Sequence, residues 1–476
     1  MNDAYLCVHG HFYQPPREDP FTGKLPREPE AKPYHDYNEK VTAECYQPNA
    51  ERGNFARMSF DLGPTLAAWM AARAPATLRA IQAAEREHVR THGASNALAL
   101  PYSHTILPLA GEHEKRIQVA WGVADYTFRY GHAPEGAWLP EAAVDLASLR
   151  ALADAGIAYT ILAPWQADGP IDTGKPHWVE LGAGRRIAVF FYHAALSGGV
   201  SFDSDLTVNA DRFARESLAP LQATETSERG APRLTLIASD GELYGHHQPW
   251  RDQFLAQLLQ VSAPSIGWRV TTLGVYLREH PPLTAVTIRP RTAWSCPHSL
   301  ARWSAGCPCT VGDSSWKRPL RAAFDGLAAR LDALYEQRAG RLLSDPWETL
   351  AGYLGVRLGR EPLSAMLSRA GAAAPASTVR SLRRWLELQY FRQLMLTSCG
   401  YFFEDLDRIE PRNNIACAAR AISLLPSPWR RTLEAEFVAA IGQARSWRTG
   451  RTGADLYSAA APPPPHRTRR AVDVAA

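Results

Sequence analysis

Two short segments of the chain place carboxylates where they could cleave a glycosidic bond. The first is Gly136-Ala-Trp-Leu-Pro-Glu-Ala142, and the second is Ser239-Asp-Gly-Glu-Leu-Tyr-Gly-His-His247. In each segment a carboxylate, Glu141 or Asp240, comes soon after a short apolar run, so the two could meet at the ends of two strands. A pair of carboxylates that flank the scissile bond is the minimum that most glycosidases need.

Taken singly, each acid also has an ordinary structural interpretation. Glu141 follows Pro140 and could open a helix that runs from Ala142 to about Leu152. Asp240-Gly241 is a common turn dipeptide. The second segment nevertheless holds two acids and two histidines in nine residues, a density typical of a cation site or a polar substrate pocket.

Three histidines are further candidates. His9 and His11 are two residues apart in an apolar run, so on a strand both imidazoles face the same side. Such a pair can bind a metal or donate hydrogen bonds to sugar hydroxyls. His104 lies among apolar and hydroxyl residues, where a buried histidine bonded to backbone would give the same pattern.

Cysteines suggest a metal site only weakly. Cys296, Cys307 and Cys309 stand near His298, and Cys399 follows much later. The spacing of the first three cysteines lacks the paired C-x2-C knuckles of typical zinc sites. We therefore predict buried or loop thiols, no metal site and no cofactor.

The elements that must position these residues are read from apolar periodicity. Runs of strand length occur at 4–9, 158–163, 186–192 and 234–238, and a helical pattern begins at 63–72. Continuous rather than alternating apolarity is typical of parallel strands that are covered on both faces. Repeated β and α units predict an α/β fold, a (β/α) barrel in preference to an open sheet, with its chemistry at the C-terminal strand ends.

After Pro282 the pattern changes to long amphipathic helices, predicted at 318–335, 379–395, 416–425 and 429–443. The sequence thus predicts three parts. They are a barrel catalytic domain at 1–285, a mainly helical domain with a Cys-rich entry segment at 286–445, and a disordered Pro- and Arg-containing tail at 446–476.

Composition narrows the classes of function. The net charge of +4 over 476 residues is too small to indicate a nucleic-acid or membrane partner. No apolar run approaches the length of a membrane span, no leader pattern opens the chain, and seven cysteines fit a reducing compartment, so we expect a cytoplasmic protein. Motifs for phosphate, dinucleotide, serine-hydrolase and zinc-protease chemistry are absent from the sequence, which leaves carbohydrate chemistry with or without a metal.

Four motifs in order resemble the first four signature regions of glycoside hydrolase family 57. They are His9-Gly-His-Phe-Tyr-Gln-Pro15, the 101–108 stretch with His104, Gly136-Ala-Trp-Leu-Pro-Glu141, and Asp240-Gly-Glu-Leu-Tyr-Gly-His246. The later part of the chain resembles the domain of unknown function that accompanies an uncharacterised branch of that family.

The resemblance implies an incomplete (β/α)7-type barrel and a retaining mechanism without a catalytic metal. It implies that Glu141 is the nucleophile and that Asp240 is the acid/base. Asp240 should then have a raised pKa, which we expect an ionised Glu141 nearby to cause. The candidate substrate-binding residues are His9, His11, Gln14, His104, Trp138, Glu242 and His246.

Family members act on α-linked glucans or oligosaccharides as hydrolases or transglycosylases, so a carbohydrate substrate is the expected partner. Two alternatives stay open. One is a metal-dependent polysaccharide deacetylase built on His9, His11 and an acid such as Asp240. The other is a catalytically silent carbohydrate-binding protein.

Overall fold

The first part of the chain is built around a ring of parallel strands. The computed structural model describes residues 4–224, 232–371 and 375–461. Its strands are β1 (Ala4–Phe12), β2 (Ser59–Leu62), β3 (Ala97–Leu98), β4 (Tyr159–Leu162), β5 (His177–Gly182), β6 (Arg185–Phe191), β7 (Arg233–Asp240) and β8 (Arg269–Val270).

Seven parallel segments form the ring. Strands pair in the order β3-β2-β1-β7, and β4 pairs with β6. The extended segment 136–138 joins the two sets, because its residues bridge Ala99 at the end of β3 and Tyr159 in β4. Among the described residues no ladder joins β6 and β7, and just after β6 the backbone N–H of His193 donates to Leu236 O (2.7 Å). The predicted incomplete (β/α)7-type barrel is therefore confirmed.

The two other strands lie outside this ring order. Strand β5 pairs antiparallel with β6, and the short β8 pairs with β1 at Tyr5 and Leu6, before β2 begins its own pairing. Every residue of β1 is buried, as expected for a parallel strand covered on both faces.

Helices surround the ring. They are Tyr37–Val41, Gln47–Glu51, Pro64–Arg73, Pro75–His92, Glu112–Tyr130, Leu146–Asp154, Ala194–Phe202, Ala210–Phe213, Ala219–Thr224, Arg251–Gln257, Ala263–Ser265 and Leu273–Glu279. Wider π-helical turns at Thr42–Tyr46, Ala214–Leu218 and Leu258–Ser262 continue three of them.

The second part of the chain is helical, as predicted. Its helices are Ala301–Ser304, Lys317–Ala339, Pro346–Arg357, Leu363–Arg369, Ala376–Leu394, Cys399–Phe402, Ile409–Ser423, Ser427–Ile441 and Gly453–Ala460. Four of these match the four predicted helices, although Ile409–Ser423 begins well before the predicted start at 416.

The two parts interlock instead of meeting at a clean boundary. Helix Glu112–Tyr130 belongs to the barrel by sequence, yet its Ile117 and Trp121 pack in the core of the helical part. The indole nitrogen of Trp121 donates to Leu350 O (3.0 Å). The two parts are therefore joined by a shared apolar core as well as by the linking segment.

The predicted disordered tail is wrong over its first part. Helix Gly453–Ala460 begins with a capping box between Thr452 and Asp455 and buries Leu456 and Tyr457. Ser446 is also buried and donates to Asp405. Two apolar side chains in a short, well-capped helix were enough to order this segment, whereas the Pro- and Arg-rich remainder lies outside the described residues.

Within the described ranges, no helix combines the length and the apolarity needed to cross a membrane.

Candidate active site

Strand register aligns three polar side chains at the C-terminal end of the ring. His11 of β1 is paired with Asp61 of β2 on one side and with Asp240 of β7 on the other. Residues in register on neighbouring parallel strands point to the same face. The candidate acid Asp240 therefore lies beside the candidate histidine His11, with Asp61 completing the row.

Asp61 holds both histidines of the opening strand. Its two carboxylate oxygens lie 3.2 Å from His9 Nε2 and 2.8 Å from His11 Nδ1, and the carboxylate is fully buried. The two imidazoles do face the same side. Burial lowers the pKa of His11, but the charge and hydrogen bond of Asp61 outweigh it and raise the pKa to about 9.

A hydrogen-bonded chain leads from this pair into the helical part. His11 Nε2 lies 3.1 Å from His104 Nε2, and His104 Nδ1 lies 2.6 Å from Ser398 Oγ. Burial and the charge of His11 keep the pKa of His104 well below its ordinary value. A cationic His11 can thus donate to Asp61 and to a neutral His104. His104 makes these bonds to side chains, whereas the sequence favoured a histidine bonded to backbone.

This series of hydrogen bonds bears on the alternative of a metal-dependent deacetylase. Both ring nitrogens of His11 are engaged, one by Asp61 and one by His104, so neither is directed at a metal. Among the described residues, the one group of three or more metal-ligand side chains whose atoms converge is Cys296, His298, Cys307 and Cys309, beyond the barrel strands.

Trp138 packs against both histidines of the opening strand. Its ring stacks on His9 (centroids 5.0 Å apart) and on His11 (5.4 Å), and it meets Trp294 edge-on (4.8 Å). The side chain is fully buried. We infer that Trp138 positions the imidazoles, and its contact with a substrate stays a prediction.

Glu141 lies in a left-handed turn that orients its carboxylate. Its φ is 59° and its ψ is 21°, a conformation that non-glycine residues rarely adopt. Trp294 Nε1 and Ser295 Oγ lie 3.2 and 2.7 Å from Glu141 Oε2. The following helix starts only at Leu146, with Asp145 as its N-cap, so Glu141 is not a helix cap.

Asp240 ends β7 in a different setting. The residue reaches the surface, although protein surrounds its carboxyl group, and within the described part of the chain no group donates a hydrogen bond to that carboxylate. The next residue is Gly241, where a Cβ would collide with the ring of Phe12. Only glycine lets the chain turn here directly after the acid.

The surrounding protein raises the pKa of both Asp240 and Glu141. For Asp240 desolvation is the largest cause, opposed by the charges of His11 and His247 and assisted by that of Asp61. For Glu141 desolvation is again the largest cause, the hydrogen bond from Ser295 opposes it, and the charge of Asp240 adds to it. The pKa of Asp240 is raised as predicted, but through burial and Asp61 and not through Glu141.

Glu242 turns away from Asp240 and into the protein. A short 3-10 turn at Gly241–Leu243 brings its Oε1 within 3.1 Å of Tyr13 N and 2.5 Å of Tyr46 Oη. Burial raises the pKa of Glu242 to about 7. Because this carboxyl is buried and hydrogen-bonded, we infer that it positions the segment, and its contact with a substrate stays a prediction.

Two further predicted residues lie at the margin of this cluster. His246 Nδ1 is 2.6 Å from Glu44 Oε2, and Gln14 Oε1 accepts a hydrogen bond from Arg17 (2.8 Å). Both side chains are partly exposed, and their contact with a substrate stays a prediction.

Sequence reasoning missed Asp61, Tyr46, Ser398 and the donors to Glu141. Asp61 carried a detectable signal, since an acid in the short apolar strand Ser59–Leu62 must find a buried partner. The others gave none, because Tyr46, Ser398 and Trp294 come from elements far away in sequence.

Comparison with known proteins follows the same division of the chain. The model of glycosyl hydrolase family 57 matches residues 24–287, which include Glu141 and Asp240, and a domain of unknown function, DUF3536, matches residues 313–474. A search of curated proteins finds no match.

Three solved structures share this fold at low sequence identity. An exo-type maltose-forming amylase from Pyrococcus sp. ST04 is 15% identical over 96% of this chain and 88% of its own, with a TM-score of 0.75. A branching enzyme from Pyrococcus horikoshii is 15% identical over 96% and 94%, with a TM-score of 0.61. A 4-α-glucanotransferase from Thermococcus litoralis is 16% identical over 90% and 59%, with a TM-score of 0.55.

Because the first family match spans more than half of the chain, and a barrel with two carboxylates at its strand ends agrees with it, this protein belongs to glycosyl hydrolase family 57.

Proposed function

We propose that the protein is a retaining glycoside hydrolase or transglycosylase that acts on α-linked glucans or oligosaccharides, with Glu141 as nucleophile and Asp240 as acid/base. The observation that carries this proposal is the contrast between the two carboxylates. Glu141 is held by two hydrogen-bond donors, whereas Asp240 reaches the surface and accepts no hydrogen bond from the residues that the structure describes. A nucleophile needs a fixed direction of attack, whereas an acid/base must exchange its proton twice in each cycle.

In the first step Glu141 attacks the anomeric carbon while Asp240 gives its proton to the leaving oxygen. A covalent glycosyl ester forms on Glu141. In the second step Asp240 takes a proton from water or from an acceptor sugar hydroxyl, and the new oxygen displaces Glu141 with net retention. The hydrogen bonds from Trp294 and Ser295 oppose the rise in the pKa of Glu141 and so favour the anion that must attack.

His11 contributes a fixed positive charge beside the acid/base. Its pKa of about 9 keeps it cationic at neutral pH, next to Asp240 in register. We propose that His9, His11 and His104 form the polar wall against which the sugar ring lies, with Gln14 and His246 at its margin.

Support for an α-glucan substrate comes from fold relatives. The three structures named above are a maltose-forming amylase, a branching enzyme and a 4-α-glucanotransferase. Their shared fold supports the class of substrate. Analysis of the products distinguishes hydrolysis from transfer.

Azide rescue tests the assignment of roles. In Glu141→Ala, azide should enter the space of the missing carboxylate and give a glycosyl azide of inverted, β configuration from an activated α-glucoside. In Asp240→Ala, azide should attack the covalent intermediate and give the retained, α configuration. Proton NMR of the azide products distinguishes the two.

Matched controls are Glu180→Ala and Asp205→Ala, two exposed acids outside the cluster, which should turn over substrate normally without azide dependence. Chromatography of products from a panel of α-glucans separates hydrolysis from transfer. Normal turnover by Glu141→Ala without azide would remove Glu141 from the mechanism, and an α-azide from that variant would reverse the two roles.

A further inference from the structure

The segment that links the barrel to the helical part has little regular structure of its own. Between helix Leu273–Glu279 and helix Lys317–Ala339 it contains the single helical turn Ala301–Ser304. Connections of this length without secondary structure are uncommon in compact proteins. The segment also lies largely between the two family matches, which end at residue 287 and resume at 313.

Four side chains of metal-ligand type converge within it. One ligand atom from each of Cys296, His298, Cys307 and Cys309 lies within 4.8 Å of all the others. Cys296 Sγ is 3.6 Å from Cys307 Sγ, and His298 Nδ1 is 3.2 Å from Cys309 Sγ. Bonds of about 2.3 Å from zinc to sulfur give a tetrahedron with edges of about 3.8 Å, so the four atoms need little movement to surround one ion.

The spacing explains why the cysteines suggest a metal site only weakly in the sequence. The ligands come in two pairs, Cys296-Pro-His298 and Cys307-Pro-Cys309, each with one proline between its members. Neither pair is a C-x2-C knuckle, and only the fold shows that the pairs face each other.

Charge near the cluster fits an anionic metal centre. Zinc with three thiolates and a neutral imidazole carries a net charge of −1. Lys317 is fully buried, donates to Thr310 Oγ1 (2.9 Å), and forms no ion pair with a carboxylate in the described ranges. It lies near Cys296, Cys307 and Glu404, and Arg302 lies beside the same group. A buried ammonium needs such a counter-charge.

The cluster begins one residue after the donors to Glu141. Residues 291–294 run antiparallel to residues 141–144: Arg291 N donates to Val144 O (2.7 Å), Val144 N to Thr292 O (3.0 Å) and Trp294 N to Glu141 O (3.0 Å). Ser295 then donates to the carboxylate, and Cys296 follows directly.

We propose that Cys296, His298, Cys307 and Cys309 bind one structural zinc ion, which fixes the linking segment and holds Trp294 and Ser295 against Glu141. Zinc binding itself is independent of the proposed function, whereas its effect on catalysis rests on that function. All four positions of the ion are taken by protein, as in structural zinc sites, so the ion does not act on the substrate. Protein ligands must lose their protons on binding, and the metal then adds to the stability of the fold.

Metal analysis of the full chain, purified without an affinity tag, is the first test. Plasma mass spectrometry should find about one zinc per chain after dialysis. His298→Ala and Cys309→Ser, which change the two least buried ligands, should each lose most of it. Cys417→Ser, a buried cysteine elsewhere, is the matched control and should keep it.

Two measurements on the wild-type chain do not depend on the folding of any variant. Replacement of zinc by Co²⁺ should give the thiolate charge-transfer and visible bands of a tetrahedral cobalt centre. Removal of zinc by a chelator should speed hydrogen exchange in peptides that cover residues 291–310 and 141–145 and leave the β7 peptide at 233–240 unchanged.

Three outcomes would overturn the proposal. They are a wild-type protein without zinc, zinc content unchanged in both ligand variants, and a Cys296–Cys307 disulfide in protein purified without reductant. Normal turnover by a Glu141→Ala protein that still holds one zinc per chain would leave the zinc site standing and count against the proposed nucleophile alone, so the two failures are distinguishable.

Discussion

The two candidate carboxylates, Glu141 and Asp240, have different structural surroundings on the two sides of the candidate active site. On one side, Glu141 sits on a strained turn and is fixed by neutral donors from a segment beyond the barrel. On the other side, Asp240 ends a barrel strand beside the buried charged pair His11–Asp61 and has no donor of its own among the described residues. The difference teaches that the barrel alone supplies the proposed acid/base, whereas the proposed nucleophile depends on a second structural unit.

The largest effect is expected for Glu141→Gln. The change keeps the size of the side chain but removes the nucleophile, so kcat on α-glucans should fall by at least about 10⁴-fold. Sugar binding should persist and can be measured by isothermal calorimetry with a maltooligosaccharide. Glu180→Gln is the matched control, and substantial turnover by Glu141→Gln would show that the fixed carboxylate is not the nucleophile.

Asp240→Asn should lower kcat by about 10² to 10⁴-fold on α-glucans, because the leaving oxygen is no longer protonated. With α-glucosyl fluoride, whose leaving group needs little protonation, Asp240→Asn should retain the step that forms the covalent intermediate, and Glu141→Gln should not. Burst kinetics of fluoride release measure this step. Equal loss of the fluoride reaction in both variants would erase the proposed division between the two sides.

Asp61→Asn tests the charged pair on the Asp240 side. Removal of one partner from a buried ion pair typically costs about 3–5 kcal/mol of folding free energy. Because the folded pKa of His11, about 9, exceeds its unfolded value of about 6.5, the pair stabilises most fully below about pH 6.5 and loses that effect as the pH rises through 9.

Urea unfolding at several pH values between 6 and 9.5 measures this dependence. The wild type should lose stability across that range relative to Asp61→Asn, so the gap between the two proteins should narrow with rising pH. A gap that stays constant would mean that His11 is neutral in the folded protein.

Ser295→Ala should have the smallest effect of the four, about ten- to a hundred-fold in kcat, since a hydrogen bond to a charged group contributes about 1.5–3 kcal/mol and about 1.4 kcal/mol is a factor of ten. That hydrogen bond lowers the pKa of Glu141, so its loss should raise this pKa. Catalysis requires ionised Glu141, and the acidic limb of the pH profile of kcat/KM should therefore move to higher pH. A limb that moves to lower pH or stays in place would separate Ser295 from the nucleophile. Ser299→Ala, in the same segment but bonded to Arg291 O, serves as control.

Much of the fold can be predicted from the sequence. The continuous apolar runs at 4–9, 158–163, 186–192 and 234–238 became β1, β4, β6 and β7, because a strand buried on both faces must be apolar throughout. Helix Gly453–Ala460 was missed, since two apolar side chains in a polar context give no strong periodic signal.

By itself, the sequence determined the order of the motifs, the barrel of βα units and the two candidate carboxylates, because these depend on local periodicity and on residue type. Only the tertiary structure decided what surrounds each group. The pairing of His11 with Asp61, the chain through His104 to Ser398, the donors to Glu141 and the convergence of Cys296, His298, Cys307 and Cys309 all join residues far apart along the chain. Such contacts follow from strand register and packing, and a pKa or a metal geometry depends on neighbours in space rather than in sequence.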